Sequence, residues 1–498
     1  MNELRTLWLP TFIAGLAVLV LLVDVTMPAT RTGQGRKAIG WLVVAGLLAA
    51  FAATFVVDAS GRAAFGAYQA GAWTTFVQRL VLGAGVLGAL GAIDDVAART
   101  PRRQGEYWLL MLSSLLGMVI VPAARDLVLV VVAFELMGIP LYVLAAYSRT
   151  DAQANPAFAG QDPRKGLAAE AALKLYLVGA ASTAVTLFGL ALLTGVTGTS
   201  RLEGLASAPS TPLGTLGMLF VLGGIGYKIG MVPFHMWVPD TYQGASLPFV
   251  AFLSVAPKAA GISVLATIFL SGLGAQRALW LPPLSIAALL SMGVGNLLAL
   301  PQTDLRRLLA YSGIAQMGYA LVAMAAGDAL GLGMTLFFLA AYVVTNLGAF
   351  LVLHAAADRG GTFGFEALHG LSRRSPGLAL ALLCFLLSLA GIPFVVGFWA
   401  KLYVFLAAWR AGEIWLVASG IVLAILGLFY YLRVLRAAYM VDDGDDRPAP
   451  APSPALRLAI GLCLAAVVGL GLWPRPLVDS AAKAGADLLD RTAAVAGR

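Results

Sequence analysis

Apolar runs of about 20 residues recur from one end of this chain to the other, each long enough to cross a hydrocarbon core of roughly 30 Å. Backbone groups in such a core must be satisfied within the protein, so a chain of this kind folds as packed helices. The residues A, V, I, L, M, F, W, Y and C make up 60% of 498 positions and charged residues only 12%, a balance that excludes a soluble domain of this size. The first run, Leu7 to Val25, is too long for the apolar part of a signal peptide and has no small-residue cleavage site after it. It reads as a retained helix. The expectation is an all-α polytopic membrane protein, one integral domain over residues 1–498.

Fourteen spans are predicted, near 7–26, 38–57, 76–97, 106–123, 126–148, 168–194, 213–236, 247–271, 279–300, 304–326, 330–356, 377–410, 413–439 and 455–473. An even number puts both termini on one side. Counting Lys and Arg in alternate loops gives eighteen on one side, from Arg31 and Arg36 through Arg306, Arg307, Arg373 and Arg374 to Arg457. The other side has six in its loops and four more in the C-terminal tail. The richer side faces the cytoplasm of a bacterial inner membrane, so both termini are expected in the periplasm. The formal charge of +8 is therefore topological, not a nucleic-acid surface. Cys384 and Cys463 lie inside apolar runs without metal or disulfide spacing. With no phosphate loop, nucleophile elbow or iron–sulfur cysteine set, redox chemistry belongs on another polypeptide, and no cofactor or metal is expected on this chain.

Five cations remain inside spans: Arg79, Lys174, Lys228, Lys258 and Lys401. Arg79 is close enough to a helix end to snorkel. A charge at mid-span costs about 2.5–3.5 kcal/mol on insertion scales and persists when paired or when it lines a hydrated path. Glu135 is central to the fifth span, Lys228 to the seventh, Lys258 lies in the eighth and Lys401 in the twelfth. Each has a helix-breaking proline nearby. Pro140 cannot donate to the carbonyl of Leu136, Pro233 frees that of Ile229, and Pro257 frees that of Leu253 and directly precedes Lys258. Gly391-Ile392-Pro393 makes a similar break ahead of Lys401. A buried charge beside an opened helix is what an ion path requires. Lysine suits it, because burial and a neighbouring carboxylate pull its proton in opposite directions, whereas arginine stays charged.

Plainer readings stand beside these. Glu135 and Lys228 fit a structural ion pair locking two helices. Lys174, about two turns from its helix end, fits snorkelling or pairing with Glu170 one turn earlier. His235 follows Pro233 in a loop-like stretch and fits a cap on backbone groups. His354 and His369, at or beyond a span end, fit structural or solvated roles.

The same segments resemble a known family. FELMGIPLY at 134–142, EAALKLYLVGA at 170–180, KIGMVPFHMWVPDTYQGASLPFVAFLSVAPKAA at 228–260, QTDLRRLLAYSGIAQMGYA at 302–320 and GIPFVVGFWAKLY at 391–403 are similar to the N-type antiporter-like subunit of bacterial respiratory NADH:quinone oxidoreductase, complex I. The first three spans and the tail match in hydropathy only. The resemblance implies two inverted five-helix repeats, spans 4–8 (106–271) and 9–13 (279–440), with helices 7 and 12 discontinuous. Helices 1–3 (1–105) precede them, and helix 14 with a periplasmic tail (455–498) follows. It also implies that Glu135 and Lys228 gate a first half-channel, that Lys258 is a central relay and that Lys401 ends the second half-channel, with a secondary part for Lys174. Gln316 departs from members that carry His there, and Asp304 is too near its helix start to replace it. An insertion at Asn155–Lys165 has no functional account.

Three related subunits share this core. The largest carries a long lateral helix, for which the roughly 25 residues after Trp473 are too few. The middle one usually has Glu where Lys401 stands. Both points favour the N-type. The expected function is proton translocation in the membrane arm, coupled to quinone reduction elsewhere; NADH, FMN, iron–sulfur clusters and quinone are implied for the whole complex, and its other membrane subunits, peripheral redox arm and lipid are the implied partners. The alternative is a subunit of a multi-chain cation/proton antiporter or membrane-bound hydrogenase. A third reading is a scaffold that only anchors peripheral subunits.

Overall fold

A computed structural model of the chain describes residues 2–27, 34–57, 63–100, 104–147, 165–207, 210–357, 363–441 and 448–496. In chain order the helices are α1 (Asn2–Thr6), α2 (Trp8–Thr26), α3 (Lys37–Ala53), α4 (Ala72–Arg99), α5 (Gln104–Ile120), α6 (Leu127–Ala146) and α7 (Lys165–Thr197). They continue with α8 (Pro212–Ile229), α9 (Trp237–Gly244), α10 (Leu247–Leu253), α11 (Ala256–Ala266), α12 (Arg277–Ala299), α13 (Leu305–Ala325) and α14 (Ala329–Ala356). The last are α15 (Leu371–Arg374), α16 (Pro376–Ala390), α17 (Val396–Arg410), α18 (Ile414–Tyr439), α19 (Pro454–Leu472) and α20 (Arg475–Ala496). A two-residue hairpin, β1 (Ala63–Ala64) with β2 (Tyr68–Gln69), sits in the loop before α4.

Helix starts follow local chemistry. The side chains of Asp126, Thr211, Asp304, Asp328 and Ser453 each accept an N–H from the first turn of α6, α8, α13, α14 and α19. Pro212 and Pro454 stand at the first helical position, where no N–H is needed. Twelve of the described helices are long and apolar enough to cross a membrane. α3 and α16 are shorter apolar helices, and with α16 continued by α17 the set is consistent with the fourteen spans expected. α13 and α14 and the α10–α11 span are buried on nearly all sides, which is why their sequences are apolar all round. α2, α7 and α18 turn Leu22, Leu177 and Phe429 and their neighbours outward as a lipid- or partner-facing surface.

The seventh span stops at Ile229 and resumes as α9; the twelfth stops at Ala390 and resumes as α17. The eighth is also in two pieces, α10 and α11, and runs on to Gly272 in a wider π turn. Both α8 and α16 end on a left-handed glycine, Gly230 (φ 74°) and Gly391 (φ 87°). In each the next N–H reaches back five residues, Met231 to Gly226 at 2.8 Å and Ile392 to Leu387 at 3.0 Å. The two breaks are thus built alike, although the spacing of lysine and proline around them differs.

One expectation changes. Pro140 does not break its helix: α6 is continuous from Leu127 to Ala146 with the proline inside it. A membrane helix packed between neighbours tolerates the loss of one ladder bond. At Pro257 the expected break is present: α10 ends at Leu253, and the proline stands in the first turn of α11. The tail after Trp473 is a helix, α20, packed against α4 and α14. The Asn155–Lys165 insertion lies outside the described residues except for Lys165, which begins α7.

The left-handed backbone at Gly391 gives a stability test. Gly391→Ala forces a Cβ into that region, at about 1–2 kcal/mol, and would bring it to 2.8 Å from Lys401 Cδ. The expected outcome is a lower thermal midpoint of the purified assembly with correspondingly reduced yield.

Candidate functional site

Glu135 on α6 faces Lys228 on α8. Glu135 Oε1 accepts a hydrogen bond from Thr183 Oγ1 at 2.7 Å and stands 3.9 Å from Lys228 Nζ. That gap is too long for a hydrogen bond. The ammonium instead donates to Tyr142 Oη at 3.0 Å, with the Phe134 and Tyr142 ring centroids 5.2 and 5.3 Å away. Each charge therefore has its own neutral partner, and the two attract across a gap that a small side-chain movement opens or closes. Lys228 is 7% exposed; the carboxylate also lines a cavity of about 10 Å³ with Thr186 and Ile225, enough for about one water.

Lys258, in the first turn of α11, is fully buried. Its nearest acceptor is the Gly313 carbonyl of α13 at 3.4 Å, and the Tyr242 ring lies 5.7 Å away. Among the described residues no carboxylate pairs with it. An ammonium has three donors to satisfy, so this is the least compensated of the three buried lysines. The buried hydroxyls of Tyr242 and Tyr342 have no hydrogen-bond partner. Tyr342 of α14 lies beside Gly313 and also lines the next cavity.

That cavity, about 10 Å³, holds Gln316, Thr345, Ser388 and Lys401. Lys401 on α17 reaches across the break to donate to the carbonyls of Leu389 (2.8 Å) and Ala390 (3.1 Å) at the end of α16. Leu389 is four residues before Pro393, which has no N–H to offer it. The cation thus caps the negative end of a helix that proline has left open. Gln316 donates to the same Leu389 carbonyl at 2.9 Å and to Tyr431 Oη at 3.2 Å, and Tyr431 shares a 2.5 Å hydrogen bond with Ser312. From Lys258 a polar file runs by way of Gly313 and Tyr342 to Gln316 and Lys401.

Lys174 is not on that file. It makes 2.7 Å ion pairs with Glu170, as spacing suggested, and with Asp240 of α9. Asp240 also pairs with Arg307 of α13 at 2.7 Å, and Arg307 donates to Gln243 at 2.9 Å. Lys174 and Arg307 thus hold one carboxylate from two sides. His235 sits in the linker with Pro233, and its Nδ1 has no hydrogen-bond partner. Pro233 and Pro393 both lie in linkers between half-helices.

Sequence reasoning missed Tyr142, Thr183, Tyr242, Tyr342, Asp240 and Arg307. Tyr142 alone had a usable signal, seven residues after Glu135 and so on the same face of α6. Among the described residues no three His, Cys, Asp or Glu side chains gather where a metal ion would sit.

Residues 124–427 match the family described as NADH:quinone oxidoreductase/Mrp antiporter, TM. NADH-quinone oxidoreductase subunit N of Heliobacterium modesticaldum is 38% identical over 418 residues, covering 84% of this chain and 85% of that one. A chain of respiratory complex I from Thermus thermophilus superposes with a TM-score of 0.79 at 32% identity, covering 95% of this chain and 98% of that one. That alignment takes in the first spans, which the motifs did not reach. A chain of the Mrp complex from Dietzia sp. superposes with a TM-score of 0.83 at 22% identity over 99% of both chains, a likeness of fold alone. The chain belongs to the NADH:quinone oxidoreductase/Mrp antiporter family, with the N-type membrane subunits of bacterial complex I.

Proposed function

We propose that this chain translocates protons in the membrane arm of a bacterial NADH:quinone oxidoreductase, and that Glu135, Lys228, Lys258 and Lys401 carry them. The observation behind this reading is the file of three buried lysines, set beside helix breaks and facing different kinds of partner: a carboxylate and a phenol, a lone carbonyl, and an opened helix end. NADH, flavin, iron–sulfur clusters and quinone belong to partner chains, whose quinone reduction sends an electrostatic change into this one. The change separates Glu135 from Lys228; Lys228, held by Tyr142, releases its proton toward Lys258. Tyr342 and Gln316 connect Lys258 to Lys401, which expels a proton to the periplasm. Lys174 and His235 have secondary parts.

In this reading residues 106–271 and 279–440 are the two inverted repeats, 1–105 an N-terminal helical unit and 455–498 the last span with its tail. The excess of Lys and Arg on the opposite side supports periplasmic termini. The antiporter or hydrogenase alternative has the shared fold in its favour, and co-purification separates the two. Flavin and iron–sulfur subunits should accompany a C-terminally tagged chain; small hydrophobic chains alone would move the assignment to the antiporter.

Three outcomes test the reading. Lys228→Ala should depress proton pumping and coupled NADH oxidation by roughly an order of magnitude or more, leaving NADH oxidation by an artificial acceptor intact; full pumping would remove Lys228 from the mechanism. Asp240→Asn leaves Lys174 and Arg307 without their shared carboxylate, and should reduce pumping several-fold while Asp240→Glu restores most of it. In spheroplasts, a C-terminal tag should be cut by added protease while a tag between Arg373 and Pro376 stays protected; the reverse pattern would invert the topology.

A further inference from the structure

Of the five cations that the sequence places inside spans, Arg79 is left outside the ion path. It lies seven residues into α4, roughly 10 Å from the helix start. It does not snorkel freely. Its Nη2 donates to the Thr54 carbonyl at 2.6 Å and its Nε to Thr54 Oγ1 at 3.1 Å, and its guanidinium stacks 3.9 Å from the Phe55 ring. These contacts cap the end of α3 and fix the guanidinium, with one edge left over.

That edge borders a cavity of about 330 Å³ between the end of α3, the first turns of α4, and α20. Thr75 lines one wall, and α20 brings Ser480 and a second cation, Lys483. α20 is held at this place because Asp487, one turn after Lys483, accepts the Trp73 N–H at the start of α4 at 3.0 Å. Among the described residues neither Arg79 nor Lys483 pairs with a carboxylate. Capping α3 accounts for the contacts to Thr54, but for neither the volume nor the second cation across it.

The surroundings say what kind of anion fits. Phe55, Val56 and Val57 run past the cavity 59%, 85% and 42% exposed, an apolar strip beside a doubly cationic recess at the end of membrane helices. A ligand that matches both has a phosphate joined to hydrocarbon. We propose that this cavity binds the phosphodiester headgroup of an anionic phospholipid. Arg79 and Lys483 hold the phosphate, Thr75 and Ser480 face the glycerol, and the acyl chains lie along Phe55–Val57. Basic pockets between membrane helices bind anionic headgroups on the cytoplasmic side; the topology proposed above puts this one on the periplasmic side. A free phosphate would use the cations but not the strip.

The test uses the intact complex in phosphatidylcholine nanodiscs doped with a photoactivatable phosphatidylglycerol, the labelled peptides being mapped by mass spectrometry. Labelling should concentrate on residues 54–57 and 75–79. It should fall several-fold in Lys483→Gln, whose exposed side chain can change without unfolding the helix, and nearly vanish in Arg79→Gln. Inorganic phosphate should not compete. Equal labelling by a photoactivatable phosphatidylcholine, or unchanged labelling in Lys483→Gln, would overturn the proposal. Loss of labelling on adding inorganic phosphate would also overturn it, in favour of a small-anion site.

Discussion

A helix that breaks inside hydrocarbon leaves carbonyls that water cannot reach, and everything at the centre of this protein follows from how those carbonyls are satisfied. At the twelfth span Lys401 and Gln316 take the Leu389 carbonyl, and Lys401 also takes that of Ala390. The break would be costly without a cation, and the cation costly without the break. Each removes the other's penalty, so the pair survives at a depth where neither would alone. Three further backbone groups at the breaks meet neutral side chains. Val232 N–H donates to Ser291, Gly397 N–H to Ser388, and the Trp237 indole donates to the Tyr227 carbonyl.

The three buried lysines differ in the strength of their compensation, and the difference sets the central one apart. Lys228 has a carboxylate within 3.9 Å and a phenol at 3.0 Å; Lys401 has two close carbonyls at a helix end; Lys258, between them, has one carbonyl at 3.4 Å. A charge is therefore better held at either end than in the middle. In the path proposed above, the centre is then a barrier that a proton crosses when an end site changes, which a row of equivalent sites would not provide. Gln316 suits the exit side of this arrangement. An amide donates and accepts without charge of its own, so it links the centre to Lys401 without adding a competing resting place.

Spans and mid-membrane charges were legible because hydrophobicity and its violation are local properties of a sequence. The breaks at Pro233 and Pro393 were legible for the same reason, each following a glycine that ends a helix. The error at Pro140 marks the limit of that logic: the same residue type sits inside a continuous helix, and packing from neighbours, which the local sequence does not contain, decided the outcome. Asp240 and Arg307 were illegible in another way. They are 67 residues apart and each looks like an ordinary loop charge; only the return of α9 toward α13 joins them. The helix in the tail went unread because its apolar positions, Ala481, Ala484 and Leu488, form a narrow stripe too small to suggest a span.

The outer ion pairs explain why α9 can be short. Eight residues with an exposed break in front are too few to be stable by themselves. Asp240 in its first turn is tied to Lys174 of α7 and to Arg307 of α13, one from each five-helix group, and Gln243 adds hydrogen bonds to Arg307 and to Asp304 at 3.2 Å. The half-helix is thus positioned by both halves of the protein at once, while Tyr242 on it faces Lys258. The same short helix therefore touches both the outer ion pairs and, through Tyr242, the central lysine.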